Sequence, residues 1–413
     1  MSHKKNSRES SFQDNSDIIV HSQPDGQNPL REERESRRLV WTKYARMVIA
    51  LAIVLILLIF MAILLQTDLV HQPITFAEYL EKVGRRLHDL SNILVRGINT
   101  NGILYTICTF LIAALTGAAL SSCGAIYQGV FRNPMASPGL LGVQSGGLLG
   151  GVLYILFFMR EEVTYTAYTQ GDYVRILNEM TWLQRNIQQV WIFAGCLLGA
   201  LLVVGISQAA GRGRMSTVVL FLTGFMFASI SGVITALAQY YMLLHDSGTS
   251  RVLAIQTISM GSFNAAYKPE HLLVMSIIVL PVLMVLMAIR HRLNAMVLGE
   301  DEAQSMGVNT GRLRIVTFAL CTLMVGVTVA FVGQIAFIGL IVPHIARQLA
   351  GADYGELLPV SALSGAVIMV FIYYIACLIG FASTINVVTS SVGGVIFLIF
   401  MMKHRRARNA DWA

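Results

Sequence analysis

From Met47 to Leu65 the chain passes through nineteen consecutive apolar residues. A helix needs about twenty such residues to cross the hydrocarbon core of a bilayer, so the run reads as one complete crossing. A secretory signal has a shorter apolar core and a small-residue cleavage site, whereas Gln66 and Thr67 follow here. The run is expected to remain as an uncleaved first span. Further apolar segments lie near 103–131, 139–159, 190–210, 216–244, 271–289, 315–333, 335–350, 357–381 and 386–402, making ten spans in all. Backbone groups in lipid must be satisfied within their own segment, so these runs predict helices and an all-α membrane protein.

Composition agrees, because 55% of the residues are hydrophobic and only 13% charged, about half the charge of a soluble domain. The net charge of +7 does not call for nucleic acid, since the basic excess sits in the N-terminal tail and in short loops. An even number of spans puts both termini on one side. That arrangement places 21 of the 30 Lys and Arg residues on the side of the termini, which the positive-inside rule makes cytoplasmic. Residues 1–46 are polar and without apolar periodicity, and are expected to be a disordered cytoplasmic tail. The membrane domain then runs over 47–402 and a short cytoplasmic tail over 403–413. Segments 67–101, 160–189 and 245–270 fall outside, and the polar 160–189 insertion has room for a small extracellular helix.

What the spans lack is also informative. No Asp or Glu falls inside any of the ten, although ion-coupled carriers keep intramembrane carboxylates for the coupling ion. A self-powered carrier or channel is the alternative class, and this absence argues against it. The chain has no Gly-x-x-x-x-Gly-Lys-Ser/Thr phosphate loop, no His-Glu-x-x-His and no Gly-x-Ser-x-Gly. It is therefore not expected to be an enzyme or to bind ATP, and energy for active transport must come from a partner. The five cysteines, Cys108, Cys123, Cys196, Cys321 and Cys377, lie in apolar stretches without Cys-x-x-Cys spacing. They read as small core residues rather than disulfides or metal ligands.

Two glycine pairs share a spacing, Gly117 with Gly124 and Gly326 with Gly333, and both end in Gly-x-Ile. The span count makes their helices run in opposite directions, which suggests an inverted repeat of the kind transporters build around one path. Glycines that merely let helices pack closely are the alternative.

Residues 117–147 read GAALSSCGAIYQGVFRNPMASPGLLGVQSGG. Farther on stand LGEDEAQSMGVNTGRLR, VGQIAFIGLIVPHIARQLAG and LLPVSALSG within 298–365. With these motifs, in order across most of 103–402, the chain closely resembles the FecCD permeases of ABC importers for iron–siderophores, haem and vitamin B12. The resemblance implies a ten-helix subunit of a bacterial cell membrane. Its implied partners are a second FecCD-type permease subunit, two cytoplasmic ATPase subunits that use the ATP, and an extracellular substrate-binding protein. Iron–siderophore is the expected cargo on family frequency alone, with haem and vitamin B12 next.

The resemblance assigns Leu298, Gly299, Glu300, Ala303, Met306 and Gly307 to an ATPase-coupling segment. An acidic cluster at a helix start suits an inner loop, and simple capping by Glu300, Asp301 and Glu302 is the plain alternative. Asn133, Pro134 and Gly139 match an inner loop, where a structural turn and a gating role stay open. Pro343, His344 and Arg347 match Pro-His-x-x-Arg. No second ligand lies at metal spacing from His344, so packing or contact toward the ATPase is expected. Gly124 and Gln128 match a helix through the middle of the subunit, where Gln128 either faces the path or bonds a neighbouring helix.

The chain also departs from the family. The usual Arg-Leu-Pro-Arg before Gly117 reads Thr106-Ile107-Cys108-Thr109, so both arginines implied to meet the binding protein are missing. Arg96, Arg251 and Lys268 are the outer residues available to substitute. The missing arginines favour a heterodimer with a second permease that keeps them. Near the last span, the usual Leu-Pro-Val-Gly reads Ile385-Asn386-Val387-Val388, and Tyr267 replaces the usual Trp.

Overall fold

The computed structural model describes residues 44–60, 100–159, 182–211, 217–245, 250–263 and 268–410. The N-terminal tail, Arg96 and most of the 160–189 insertion lie outside the described residues. Of two compact units, 1–45 and 46–413, the second holds all the described residues but Tyr44 and Ala45, which begin its first helix. Its helices are α1 (Tyr44–Phe60), α2 (Thr100–Val130), α3 (Val143–Phe157), α4 (Trp182–Ala210), α5 (Thr217–His245), α6 (Ser250–Met260) and α7 (Pro269–Ala288). They continue as α8 (Arg290–Leu298), α9 (Glu300–Ser305), α10 (Thr310–Val332), α11 (Ile338–Ala350), α12 (Tyr354–Leu378) and α13 (Ile385–Ala410).

Among the described residues six helices are long and apolar enough to cross a membrane: α2, α4, α5, α7, α10 and α12. Four shorter apolar helices fall in α1, α3, α11 and the first part of α13, so each of the ten expected spans has a helix. Two spans are built differently from the hydropathy reading. The segment expected at 139–159 opens with a 3-10 turn, Pro138–Leu141, and reaches α3 only after Gly142 at φ 79°. The segment expected from 335 reaches α11 only at Ile338, because the chain is extended between Gly333 (φ 85°) and Phe337 (φ 65°). Hydropathy registers apolar side chains and is blind to a left-handed backbone, which is why both breaks were invisible. With 13 residues, α11 rises only about 20 Å, too little for a bilayer core.

The helices sort into an inner and an outer set. The apolar window of α10 is 72% buried and that of α12 67%, against 22% for α5 and 28% for α7. Val218, Phe225 and Leu237 on α5 are exposed, as expected of a lipid-facing surface. All five cysteines are buried.

Small residues set the close contacts. A Cβ on Gly117 of α2 would run into the Gly365 carbonyl of α12, and one on Gly365 into the Gly117 carbonyl. One turn along, Ser121 donates to the Ser361 carbonyl at 2.7 Å and Ser361 donates to the Ser121 carbonyl at 3.2 Å. Because 117 meets 365 and 121 meets 361, the two helices run antiparallel through a small-xxx-small seam. A second such seam joins Gly146 and Gly150 of α3 to Gly195 and Gly199 of α4.

These pairings carry the inverted repeat. Each half has a long helix, a broken connector, a short helix, and two more helices: α2 to α5, then α10 to α13. The first helix of each half packs on the third of the other. Gly117 of α2 faces α12, while Gly326 of α10 faces Phe193 and Cys196 of α4. The second glycines differ in role, since Gly124 lies inside α2 whereas Gly333 ends α10.

Candidate functional site

The coupling segment is a fixed protrusion. α8 is tied to α12 where the Tyr354 N–H donates to Asn294 Oδ1 at 2.8 Å. Gly299 turns the chain into α9, and a Cβ there would strike the Glu302 carboxylate. Glu300, Asp301 and Glu302 fill the first turn of α9, where negative charge meets the positive end of the helix dipole. Glu300 also pairs with Arg314. Ala303 is fully buried beneath the short helix. Its end is closed by Gly307 N–H to Gln304 O and Val308 N–H to Ala303 O, both at 2.9 Å, the paired bonds of a Schellman motif. Gly307 supplies the left-handed residue this needs, at φ 79°. Asn309 then caps α10 by accepting the Arg312 N–H at 2.9 Å. Capping accounts for the acidic residues, but not for Leu298 and Met306, which stand 64% and 54% exposed on either side of the helix.

Gly124, Gln128 and Arg347 all lie in the contact between α2 and α11, beside the Ala125 carbonyl of α2. That oxygen accepts from Arg347 Nη2 of α11 at 3.1 Å and from the Tyr354 hydroxyl of α12 at 2.9 Å. Gln128 Nε2 donates to the Leu340 carbonyl of α11 at 2.9 Å, so its side chain bonds a neighbouring helix. A Cβ on Gly124 would collide with the Gly339 carbonyl. Pro343, four residues after Gly339, has no N–H to offer that oxygen. His344 sits on the same helix with Nε2 at 3.2 Å from Gln348 Nε2. Asn133, Pro134 and Gly139 stay apart from this node, in the connector between α2 and α3. Asn133 closes the end of α2 by its N–H to Gln128 O at 3.0 Å, and its Oδ1 accepts the Met135 N–H at 2.9 Å. Gly139 would meet only Gln144, at an ordinary 3.5 Å, so no close approach demands glycine there.

The extended stretch between α10 and α11 forms a third cluster, absent from the sequence-based candidates. Its peptide groups lack helical partners and lie among helices, where each must find another. Gln334 N–H donates to Ile258 O of α6 at 2.9 Å, and Ser262 N–H to Val332 O at 2.7 Å. Gln144 of α3 donates through Nε2 to Ile335 O at 3.0 Å, and Gln334 Nε2 donates to Gln144 O at 3.1 Å. On the other face of the same peptide unit, Ala336 N–H donates to Asn386 Oδ1 of α13 at 2.9 Å. Asn386 Nδ2 in turn donates to Ser259 O near the end of α6 at 2.9 Å. Glutamine and asparagine isolated in apolar spans were the available signal, because amides in such surroundings must bond something.

Of the docking candidates, Lys268 lies 3.9 Å from Glu270 of its own chain. Arg251 is on α6 and half-buried.

The family model of the FecCD transport family matches residues 54–403 of this chain. The hemin transport system permease of Yersinia pestis is 31% identical over 302 residues, 72% of this chain and 82% of that protein. The iron(3+)-hydroxamate import system permease of Bacillus subtilis is 31% identical over 300 residues, covering 71% of this chain and 69% of that one. The vitamin B12 import system permease of Escherichia coli is 31% identical over 299 residues, 72% and 82% of the two chains. An inward-facing metal-chelate type ABC transporter of known structure shares the fold. It has a TM-score of 0.64 at 24% identity over 87% of this chain and 99% of that one.

Proposed function

Because this chain belongs to the FecCD transport family, we propose that it is the membrane-spanning permease of an ABC importer whose cargo is an iron–siderophore complex. As a permease of this family it is a transport subunit, and works with ABC ATPases and a binding protein. The importer reading rests most directly on the loop from Leu298 to Gly307. A helix end held by an ion pair, a buried alanine and a Schellman closure needs no exposed apolar residues for its own stability. Leu298 and Met306 flank an acidic turn on a rigid base, which suits insertion into a groove of an ATPase subunit. In this reading α9 points to the cytoplasm, both termini lie there, and two ATPases bind one permease pair. The second permease is a different family member that supplies the docking arginines this chain lacks. Haem and vitamin B12 are the competing cargoes, and relatives named for each are as similar to this chain as the hydroxamate permease.

The test is ATP hydrolysis by the whole complex in proteoliposomes. Hydrolysis stimulated by an iron–siderophore with its binding protein, and not by haem or cobalamin, is the expected result. Stimulation by haem or cobalamin alone overturns the cargo. Unchanged coupling after Leu298→Ser and Met306→Ser together overturns the role given to the loop.

A further inference from the structure

We propose that Asn386 is a positioning residue of the transport cycle, clipping α6 and the α10–α11 bend to the start of α13. Its amide bonds two backbone groups from two other elements, the Ala336 N–H and the Ser259 carbonyl, each at 2.9 Å. The orientation of the amide is fixed by its partners. A backbone N–H can face only the oxygen and a carbonyl only the nitrogen, so a flipped side chain would lose both bonds. Ile385 adds a third tie, its N–H donating to Gly261 O at 3.0 Å.

The location makes this more than local satisfaction. The Ile335–Ala336 peptide unit is held on one side by Gln144 and on the other by Asn386, so α3 and α13 grip the bend between them. Asn386 extends that grip to Ser259 of α6, next to the Ile385 bond to Gly261. The α6 and bend backbones also bond each other through Gln334–Ile258 and Ser262–Val332. Motion that carries α6 and the bend together away from α13 leaves those bonds whole and breaks the clip. Asn386 stands where the resemblance led one to expect proline, whose ring offers neither donor nor acceptor. A proline at this position could make neither bond of the clip. Losing two such bonds shifts an opening equilibrium by roughly ten-fold or more.

The experiment uses the full chain in lipid nanodiscs, spin-labelled at Thr257→Cys on α6 and Val387→Cys on α13. Both sites are exposed, and the five native cysteines are buried. The unaltered clip gives one narrow distance distribution. Asn386→Ala broadens it or adds a longer population. Should that variant fail to fold, Asn386→Asp has the same shape and keeps the acceptor for Ala336 while losing the donor to Ser259. It too broadens the distribution. In proteoliposomes either variant raises the ATP hydrolysed per cargo molecule several-fold. That second readout rests on the importer reading, whereas the distances need neither cargo nor ATP. A distribution unchanged in a folded variant overturns the clip whatever the cargo is. Broadened distances in a complex that no cargo stimulates leave the clip standing and overturn the importer instead.

Discussion

The seam between α2 and α12 and the bend between α10 and α11 are both buried, and they are fastened by opposite means. At the seam two backbones touch, with each glycine's missing Cβ occupied by the other's carbonyl. In the bend the backbone has left the helix, and its peptide groups are taken up by carboxamides from α3 and α13. Contact between rigid backbones has no intermediate setting, because any separation opens a void along the whole seam. A joint held by a few hydrogen bonds can open by breaking those bonds, at about 1 kcal/mol each. The seam is thus the frame of the bundle and the bend its adjustable joint. The short helix α11 follows directly on the bend and is fixed to α2 along its length, through Leu340 near its start and Arg347 near its end.

The strongest way to break this contrast is Gly117→Leu. Both neighbours of the new side chain are backbone or Cβ atoms of α12, and neither can move aside without moving the helix. A loss of about 3 kcal/mol or more is expected, at the upper end of overpacking costs. It would be read as collapsed yield of folded protein and a lowered melting temperature in nanodiscs. A variant that melts like the parent would show the seam to be loose.

Gln144→Leu should cost less, about 1–3 kcal/mol, because it leaves the buried Ile335 carbonyl without its side-chain donor. The distinguishing measurement is where the protein loosens. Hydrogen exchange should quicken at 333–337 and leave the middle of α2 and α12 protected. Equal acceleration in all three places would mean that seam and bend open as one unit, and the distinction between frame and joint would fail.

The sequence carried the seam and missed the joint, for a physical reason. Ten apolar runs and the absence of buried carboxylates were enough to read the spans, and Gly117 was picked out by its spacing. Its partner Gly365 was not, because pairing across 248 positions is a tertiary fact without local pattern. Gln128 is legible as a lone amide in an apolar helix, but its partner, the Leu340 carbonyl 212 positions away, is not. Tyr354, which shares the Ala125 carbonyl with Arg347, belongs to no motif that would single it out in the sequence. At the bend, Val332 to Ile341 is nearly all apolar, so hydropathy ran straight through two left-handed residues at 333 and 337. Asn386 was noted only as a departure from an expected proline. What it bonds depends on α6 and α10 arriving at the same place, which no window of sequence contains.

The smallest effect comes from the serines of the seam, and it sharpens the contrast best. Ser121 and Ser361 exchange hydroxyl-to-carbonyl bonds across the two helices. Both carbonyls belong to helix interiors and keep their own i→i+4 partners when a hydroxyl is removed. Ser121→Ala therefore orphans no buried group, and alanine favours the helix by a few tenths of a kcal/mol. The two effects nearly offset, so each single alanine variant should lose less than about 1 kcal/mol, and the double variant little more. Thermal melts of the two single variants and the double, compared with Gly117→Leu, complete the set. If the serine variants instead lost as much as Gln144→Leu, the seam would be held by its hydrogen bonds, as the bend is. A near-neutral result leaves backbone fit, rather than the serine bonds, as what holds the seam between Gly117 and Gly365.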